Sequence, residues 1–189
     1  MKVIEQEIHS LKNSISEMWA LVHQQLYNAG EAMLTGDKEL AYKVISRERR
    51  VNAFELKIDS DCEDIIALYA PVAIDLRFVL AMYKINTNLE RLGDFAESIA
   101  RFAGNLPEGE PIDPQLVKET RVEEMLSELL SMISLTKEAF EKESSEIASR
   151  IFLKDNLIDE INHNSTAIIA KYIEEHKGSA LAGLYMAGV

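Results

Sequence analysis

The sequence predicts an all-α fold made of long antiparallel helices. Glycine and proline, the residues that interrupt helices, number only 8 and 4 in 189 residues and fall in a few clusters. Between those clusters the apolar residues recur every three or four positions, which is the spacing of one helix face. The order is three long helices, a linker and three more helices. We therefore expect two tandem three-helix bundles, residues 1–105 and 106–189.

The first three predicted helices are bounded by turn residues. The first helix carries an apolar seam of about eight turns and ends at Thr35-Gly36-Asp37, where the aspartate caps the next helix. The second helix runs to about Tyr69 and is ended by Pro71. The third spans about Ile74–Gly104. The seam of the first helix is formed by Ile4, Ile8, Leu11, Ile15, Met18, Val22, Leu26, Ala29 and Met33.

The second half begins with the linker Asn105–Pro114, which is rich in proline, glycine and acidic residues. A fourth helix is predicted over about Gln115–Lys142 and a fifth over about Ser145–Glu175. A sixth begins near Ser179 and is interrupted in its interior at Val189, because the last residues are apolar and lack a helix-termination signal. The last helix of the second bundle is therefore predicted to be truncated.

The two halves resemble each other in pattern. A shift of 107 residues places Asp37 on Ser144, and both are predicted helix caps. The alternative interpretation is that any two amphipathic helices align this well. Against it, the same shift aligns a pair of polar residues four positions apart, placing Glu48 and Asn52 on Asp155 and Asp159.

Composition excludes several classes of function. The formal net charge is −12 and the pI is about 4.8, which disfavours binding to nucleic acid and to anionic membranes. No apolar run approaches the roughly 18 residues of a transmembrane helix, and the first residues are too charged for a signal peptide. The single cysteine, Cys62, cannot form an internal disulfide and is expected in the core of a cytoplasmic protein.

Carboxylates at helical spacing are the candidate chemistry. Glu90 and Asp94 are four residues apart, so they lie above one another and can bind a hard cation. A helical wheel places them on an outward, exposed face opposite Leu92, Phe95 and Ile99. A solvated acidic face is the alternative interpretation of this spacing. Two other polar pairs flank the apolar seams instead, Glu48/Asn52 and Asp155/Asp159. Carboxylates at such positions are partly buried and therefore need partners.

One Glu-x-x-His motif occurs, at Glu160 and His163. Carboxylate-bridged di-iron enzymes of the ferritin-like class use two such motifs and two further glutamates. Because the second motif is absent from the sequence, a surface histidine is the simpler interpretation, and the di-metal enzyme is kept as an alternative function.

Residues 70–100 resemble the PhoU family of phosphate-uptake regulators. The resemblance rests on APVAIDLRF at 70–78, LERLGDFA at 89–96 and Ile99-Ala100, and the predicted six-helix layout agrees along the whole chain. It implies two three-helix bundles and a non-enzymatic cytoplasmic regulator. Such a regulator restrains the phosphate-specific ABC transporter, by docking on its ATPase subunit, and couples it to the phosphate-sensing histidine kinase.

The resemblance also implies a multinuclear metal cluster of iron, zinc, manganese or magnesium. By position, the ligands would be Glu90 and Asp94, with Glu48 and Asn52 in the first half and Asp155 and Asp159 in the second. Four residues after the aspartate, where the family usually has asparagine, this chain has Ser98, a weaker ligand. We expect a homodimer, and a metal-free helical adaptor is the remaining alternative.

Overall fold

The first three helices pack against one another in a three-helix bundle. In the computed structural model, which describes residues 3–106 and 112–175, α1 spans Val3–Thr35, α2 spans Lys38–Tyr69 and α3 spans Ile74–Asn105. Each contacts the other two, and the core between them is formed by the predicted seam of α1 from Leu11 to Met33. The described residues contain helices and no strand, as the all-α prediction requires.

The turn between α1 and α2 has the predicted chemistry. Gly36 has a φ of 70°, which a glycine adopts without steric cost. The Asp37 carboxylate then accepts a hydrogen bond of 2.9 Å from the backbone N–H of Leu40. At the position equivalent by the 107-residue shift, Ser144 Oγ accepts from the N–H of Ile147 at 3.2 Å. Both predicted caps are therefore present.

The fourth predicted helix is broken, which corrects the expectation of one continuous helix. Residues Pro114–Thr120 form α4 and Val122–Glu141 form α5, with Arg121 between them at a φ of 56°. The left-handed residue ends α4, and the guanidinium of Arg121 is held by Glu124 at 2.8 Å and Glu160 at 2.9 Å. The break thus coincides with an ion pair to Glu160 of a helix distant in sequence.

The remaining described helix, α6, spans Ser145–Glu175 and packs on α5 and α4, while α5 also packs on α1. The indole N–H of Trp19 on α1 donates to the Ile133 carbonyl of α5 at 3.2 Å. The expected sixth helix from Ser179 lies outside the described residues. The division into bundles 1–105 and 106–189 therefore stays a prediction.

The inner face of α6 is less covered than that of α2. Val44 and Val51 of α2 are fully buried, whereas their counterparts Ile151 and Ile158 are only partly buried. Phe152 on α6 is 76% exposed. None of the helices in the described ranges is both long and apolar enough to cross a bilayer.

Candidate metal-binding cluster between α2 and α3

A buried glutamate lies where α2 and α3 approach each other. Glu48 of α2 is 5% exposed, and neither of its carboxylate oxygens has a hydrogen-bond partner among the described residues. The close approach depends on Gly93 of α3, since a Cβ there would lie 3.5 Å from Glu48 Oε2 and 2.9 Å from Val51 Cγ1. Glycine at this position lets the α3 backbone lie directly against the carboxylate.

Several negative charges act on Glu48. The pKa of Glu48 is raised from 4.5 to about 7, mainly by burial and then by the charges of Asp94, Glu97 and Glu90 in that order. Of these, Glu97 has a cation beside it, the guanidinium of Arg101 at 2.6 Å. A buried carboxyl surrounded by like charges is unstable in its ionised form unless a cation or a proton joins it.

The acidic row continues one turn further along both helices. Burial raises the pKa of Glu90, and Asp94 and Glu55 raise it further, while Arg91 opposes the shift. Burial also raises the pKa of Glu55, followed by the charges of Asp59 and Asp94. Glu55 of α2 therefore lies within electrostatic reach of the Glu90/Asp94 pair, and the acidic cluster spans two helices.

Two buried amides bond to α2, and Asn86 does so beside this row; sequence patterns did not single them out. Asn86, which is fully buried, donates from Nδ2 to the Glu55 carbonyl at 2.9 Å and to Asp59 Oδ1 at 2.8 Å. Gln25 of α1 donates to the Val44 carbonyl at 2.8 Å. The side-chain oxygens of both amides lack a partner among the described residues. Only the position of Asn86, one turn before Glu90, could have indicated its role.

The structure brings together three of the six predicted ligands. Glu48, Glu90 and Asp94 belong to the acidic cluster, and Asn52, one turn beyond Glu48 on α2, is exposed. The other pair, Asp155 and Asp159, is exposed on α6, and neither is among the charges that shift the pKa of Glu48.

The outward, exposed face predicted for Glu90 and Asp94 is corrected for Glu90. Asp94 is exposed, but Glu90 is partly buried and faces the α2 carboxylates. The reason is that small residues let α2 approach a different side of α3, roughly a quarter-turn from the carboxylates. That side is formed by Leu89, Gly93, Ala96, Ala100 and Ala103. Phe95, predicted to face the core, is 54% exposed.

The residues present fit a hard cation in donor type. Unpartnered buried carboxylate oxygens, a nearby amide oxygen and further carboxylates are the ligands that Mg²⁺, Mn²⁺ and iron accept. Within the described residues, no three acidic, histidine or cysteine side chains already converge on one point as a metal site. Binding would therefore require the carboxylates to move together, which their mutual repulsion prevents until a cation neutralises them.

The Glu-x-x-His motif has a different partner. Glu160 forms an ion pair with Arg121 at 2.9 Å, and His163 is exposed. The carboxylate therefore holds the junction of α4 and α5. Cys62 is buried, as predicted, and burial raises the pKa of its thiol to about 12, with smaller contributions from Asp59 and Asp61. Such a thiol is not a nucleophile at neutral pH.

Comparison with known proteins agrees with the motif at 70–100. A family model described as the PhoU domain matches residues 15–103. The phosphate-specific transport system accessory protein PhoU homolog of Aquifex aeolicus is 33% identical over 171 residues, which cover 89% of this chain and 75% of that protein. The phosphate-specific transport system accessory protein PhoU of Escherichia coli is 34% identical over 154 residues, covering 82% of this chain and 62% of that protein.

Two solved structures share the fold. The crystal structure of PhoU from Pseudomonas aeruginosa superposes with a TM-score of 0.90 at 27% identity, covering 97% of this chain and 86% of that one. The phosphate transport system regulatory protein PhoU of Streptococcus pneumoniae superposes with a TM-score of 0.84, also at 27% identity, over 98% of this chain and 86% of that one.

Proposed function

Because this chain belongs to the PhoU family, we propose that it restrains a phosphate-specific ABC transporter and couples the transporter to a phosphate-sensing histidine kinase. Its relatives are accessory proteins of phosphate transport, and that shared description over 89% of the chain is the observation that carries the proposal. The assignment to a regulatory rather than an enzymatic class follows from the family.

The proposed partners are the ATPase subunit of the transporter and the kinase, both reached from the cytoplasm. An acidic helical protein with a net charge of −12 suits basic surfaces on such proteins. The experiment is co-purification of the chain with the ATPase subunit, together with phosphate uptake in a strain whose own regulator is deleted. We expect a complex and reduced uptake at high phosphate. A chain that neither binds the subunit nor changes uptake would contradict the proposal.

We further propose that the cluster between α2 and α3 binds one or more cations, with Glu48, Glu90 and Asp94 as ligands and Asn52 beside them. The unpartnered oxygens of buried Glu48 support this. Iron, zinc, manganese and magnesium all remain candidates, and a bound cation would link α2 to α3 by neutralising their carboxylates. Asp155 and Asp159 would form a separate, exposed site on α6. Elemental analysis of the purified protein distinguishes this regulator from a metal-free adaptor.

We also propose that the chain forms a homodimer. Phe152 and Leu153 on α6 are both 76% exposed, and apolar side chains of this size beside partly buried Ile151 favour self-association. Sedimentation of the wild type and of Phe152→Ser/Leu153→Ser tests this. We expect a dimer that the double substitution dissociates, and a wild type that is monomeric at high concentration would refute it.

A further inference from the structure

The hairpin between α2 and α3 exposes a set of apolar side chains at its tip. Leu68, Val72 and Ile74 are 72%, 74% and 79% exposed, and Tyr69 beside them is 36% exposed. We call these four residues the tip surface. Exposed apolar side chains that cluster in this way mark interaction sites more often than isolated ones do.

The backbone of the tip is strained. Ala70 and Ala73 both have a positive φ, 45° and 49°, in a region that residues with a Cβ rarely adopt. Two glycines would adopt these conformations at lower cost. Pro71 between them is buried, so the turn is anchored to the bundle and holds Val72 in an exposed position. A strained, anchored turn of this kind is typical of a surface that must keep one shape.

An acidic pocket adjoins the tip surface. The groove between the N-terminal part of α1 and the C-terminal part of α2 has a cavity of about 250 Å³. Its walls include the carboxylates Glu7, Asp61 and Asp64 and the ammonium of Lys57, and it shares Leu68 and Tyr69 with the tip surface.

The charges of this pocket are unbalanced. Lys57 donates to Asp61 at 2.6 Å and to Ser14 at 3.0 Å, so its charge is already matched by one carboxylate. Among the described residues, Glu7 and Asp64 have no ion pair or hydrogen bond. The pocket therefore presents, at the edge of an apolar surface, two carboxylates that no described residue pairs.

We propose that the tip surface and the acidic pocket together form a docking site for a protein segment that carries a lysine or arginine beside apolar side chains. The cationic side chain enters the pocket between Glu7 and Asp64, and the apolar neighbours cover Val72 and Ile74. The charge of the pocket selects against an anionic membrane, which the carboxylates would repel. The site rests on the proposed function only in that the chain acts by docking on other proteins.

The test uses a synthetic amphipathic helix of leucine and lysine as the probe, with binding to the full chain measured by calorimetry. We expect saturable binding of this probe to the wild type. Glu7→Gln/Asp64→Asn should weaken binding about tenfold by removing the two charges, and Val72→Ser/Ile74→Ser should weaken it about as much. All four residues are exposed, so both variants should keep the helicity of the wild type.

The matched control is Glu17→Gln/Glu174→Gln, which removes the same number of exposed charges elsewhere on the chain. It should change binding less than about twofold. Equal weakening in this control would show that binding follows net charge alone and would overturn the site. So would unchanged binding in Val72→Ser/Ile74→Ser, or binding of a probe with glutamate in place of lysine.

Two further measurements address other occupants. Flotation with phosphatidylglycerol vesicles should leave the protein unbound, and binding that Val72→Ser/Ile74→Ser abolishes would overturn the proposed partner class in favour of a bilayer. If the wild type is a dimer that Val72→Ser/Ile74→Ser dissociates, and no peptide binds, the tip surface would be the contact between two copies of this chain and the proposed partner class would be overturned.

If the transporter ATPase binds the wild type and this variant equally, the docking site fails while the proposed function stands. If the ATPase binds neither the wild type nor Val72→Ser/Ile74→Ser while the peptide still binds the wild type, the proposed function fails and the docking site stands.

Discussion

The backbone of Gly93 lies directly against the buried carboxylate of Glu48. A Cβ at Gly93 would lie 3.5 Å from Glu48 Oε2 and 2.9 Å from Val51 Cγ1. The absence of a side chain on α3 is thus what allows a glutamate of α2 to be buried at the helix interface. The position of Glu48 in the acidic cluster therefore depends on this contact.

Gly93→Ala should destabilise the protein by about 1–2 kcal/mol. The overlap of the new methyl group with Val51 costs more free energy than the higher helix propensity of alanine contributes. Gly104→Ala is the matched control, since its nearest neighbour would be Tyr42 Cε1 at 4.0 Å. That variant should be unchanged or more stable by about 0.5 kcal/mol. Urea denaturation followed by circular dichroism measures both. Equal stability of the two variants would show that the close approach at Gly93 is absent in solution.

Stability should fall as pH rises through neutrality in the metal-free protein. The Glu48 carboxyl titrates near 4.5 in the unfolded chain and has a pKa of about 7 in the folded protein. Between those values the folded state binds more protons than the unfolded state, so unfolding becomes easier as pH increases. Thermal denaturation in chelator should therefore give a lower Tm at pH 8 than at pH 5, by about 5 °C.

Glu48→Gln should remove most of this pH dependence and raise the Tm at pH 8, because a neutral amide has no proton to lose. Some slope in the same direction should remain, since the pKa values of Glu55 and Glu90 are also raised. A Tm of the wild type that increases between pH 5 and pH 8 would contradict the assigned burial of Glu48.

Glu90→Ala/Asp94→Ala should lower the metal content of the purified protein, because it removes two of the three proposed carboxylate ligands and leaves only Glu48. The metal-free variant should be at least as stable as the wild type, since a repulsion of a few tenths of a kcal/mol is relieved. Mass spectrometry after metal loading gives the stoichiometry. Asp155→Ala/Asp159→Ala is the comparison variant. Any metal that it loses should be independent of the metal lost by Glu90→Ala/Asp94→Ala. Unchanged stoichiometry in Glu90→Ala/Asp94→Ala would remove these residues from the site.

Trp19→Phe should destabilise the contact between α1 and α5 by about 1 kcal/mol. The variant loses the hydrogen bond from the indole N–H to the Ile133 carbonyl but keeps an aromatic ring next to Phe140, whose centroid lies 5.8 Å from that of Trp19. Because Trp19 is the single tryptophan, unfolding must be followed by circular dichroism. Tyr27→Phe, at a residue 46% exposed on the same helix, should have no measurable effect.

Helix positions and caps followed from the sequence because they depend on neighbours within one turn. The periodicity of α1, the capping aspartate at Asp37 and its counterpart Ser144 are local signals, and the structure has all three. The break at Arg121 was missed for the opposite reason. Arg121 has a positive φ and forms ion pairs with Glu124 and with Glu160, which is distant in sequence. No turn-forming residue lies beside it in the sequence to predict the break.

The carboxylates of the candidate site were visible in the sequence, but their environment was decided only by the packing of α2 on α3. A helical wheel gives the angle between Glu90 and Asp94 but not the side from which a second helix approaches. The small residues of α3 allow α2 to approach beside the carboxylates, and this buries Glu48. Asn86 joined the acidic row for the same reason, since it bonds to Glu55 and Asp59, which are at least 27 positions away in sequence. The sequence alone determined the helix caps and the spacing of the carboxylates, because both depend on neighbouring residues. The burial of Glu48 and its raised pKa were decided by the tertiary structure, because they depend on which helices pack together.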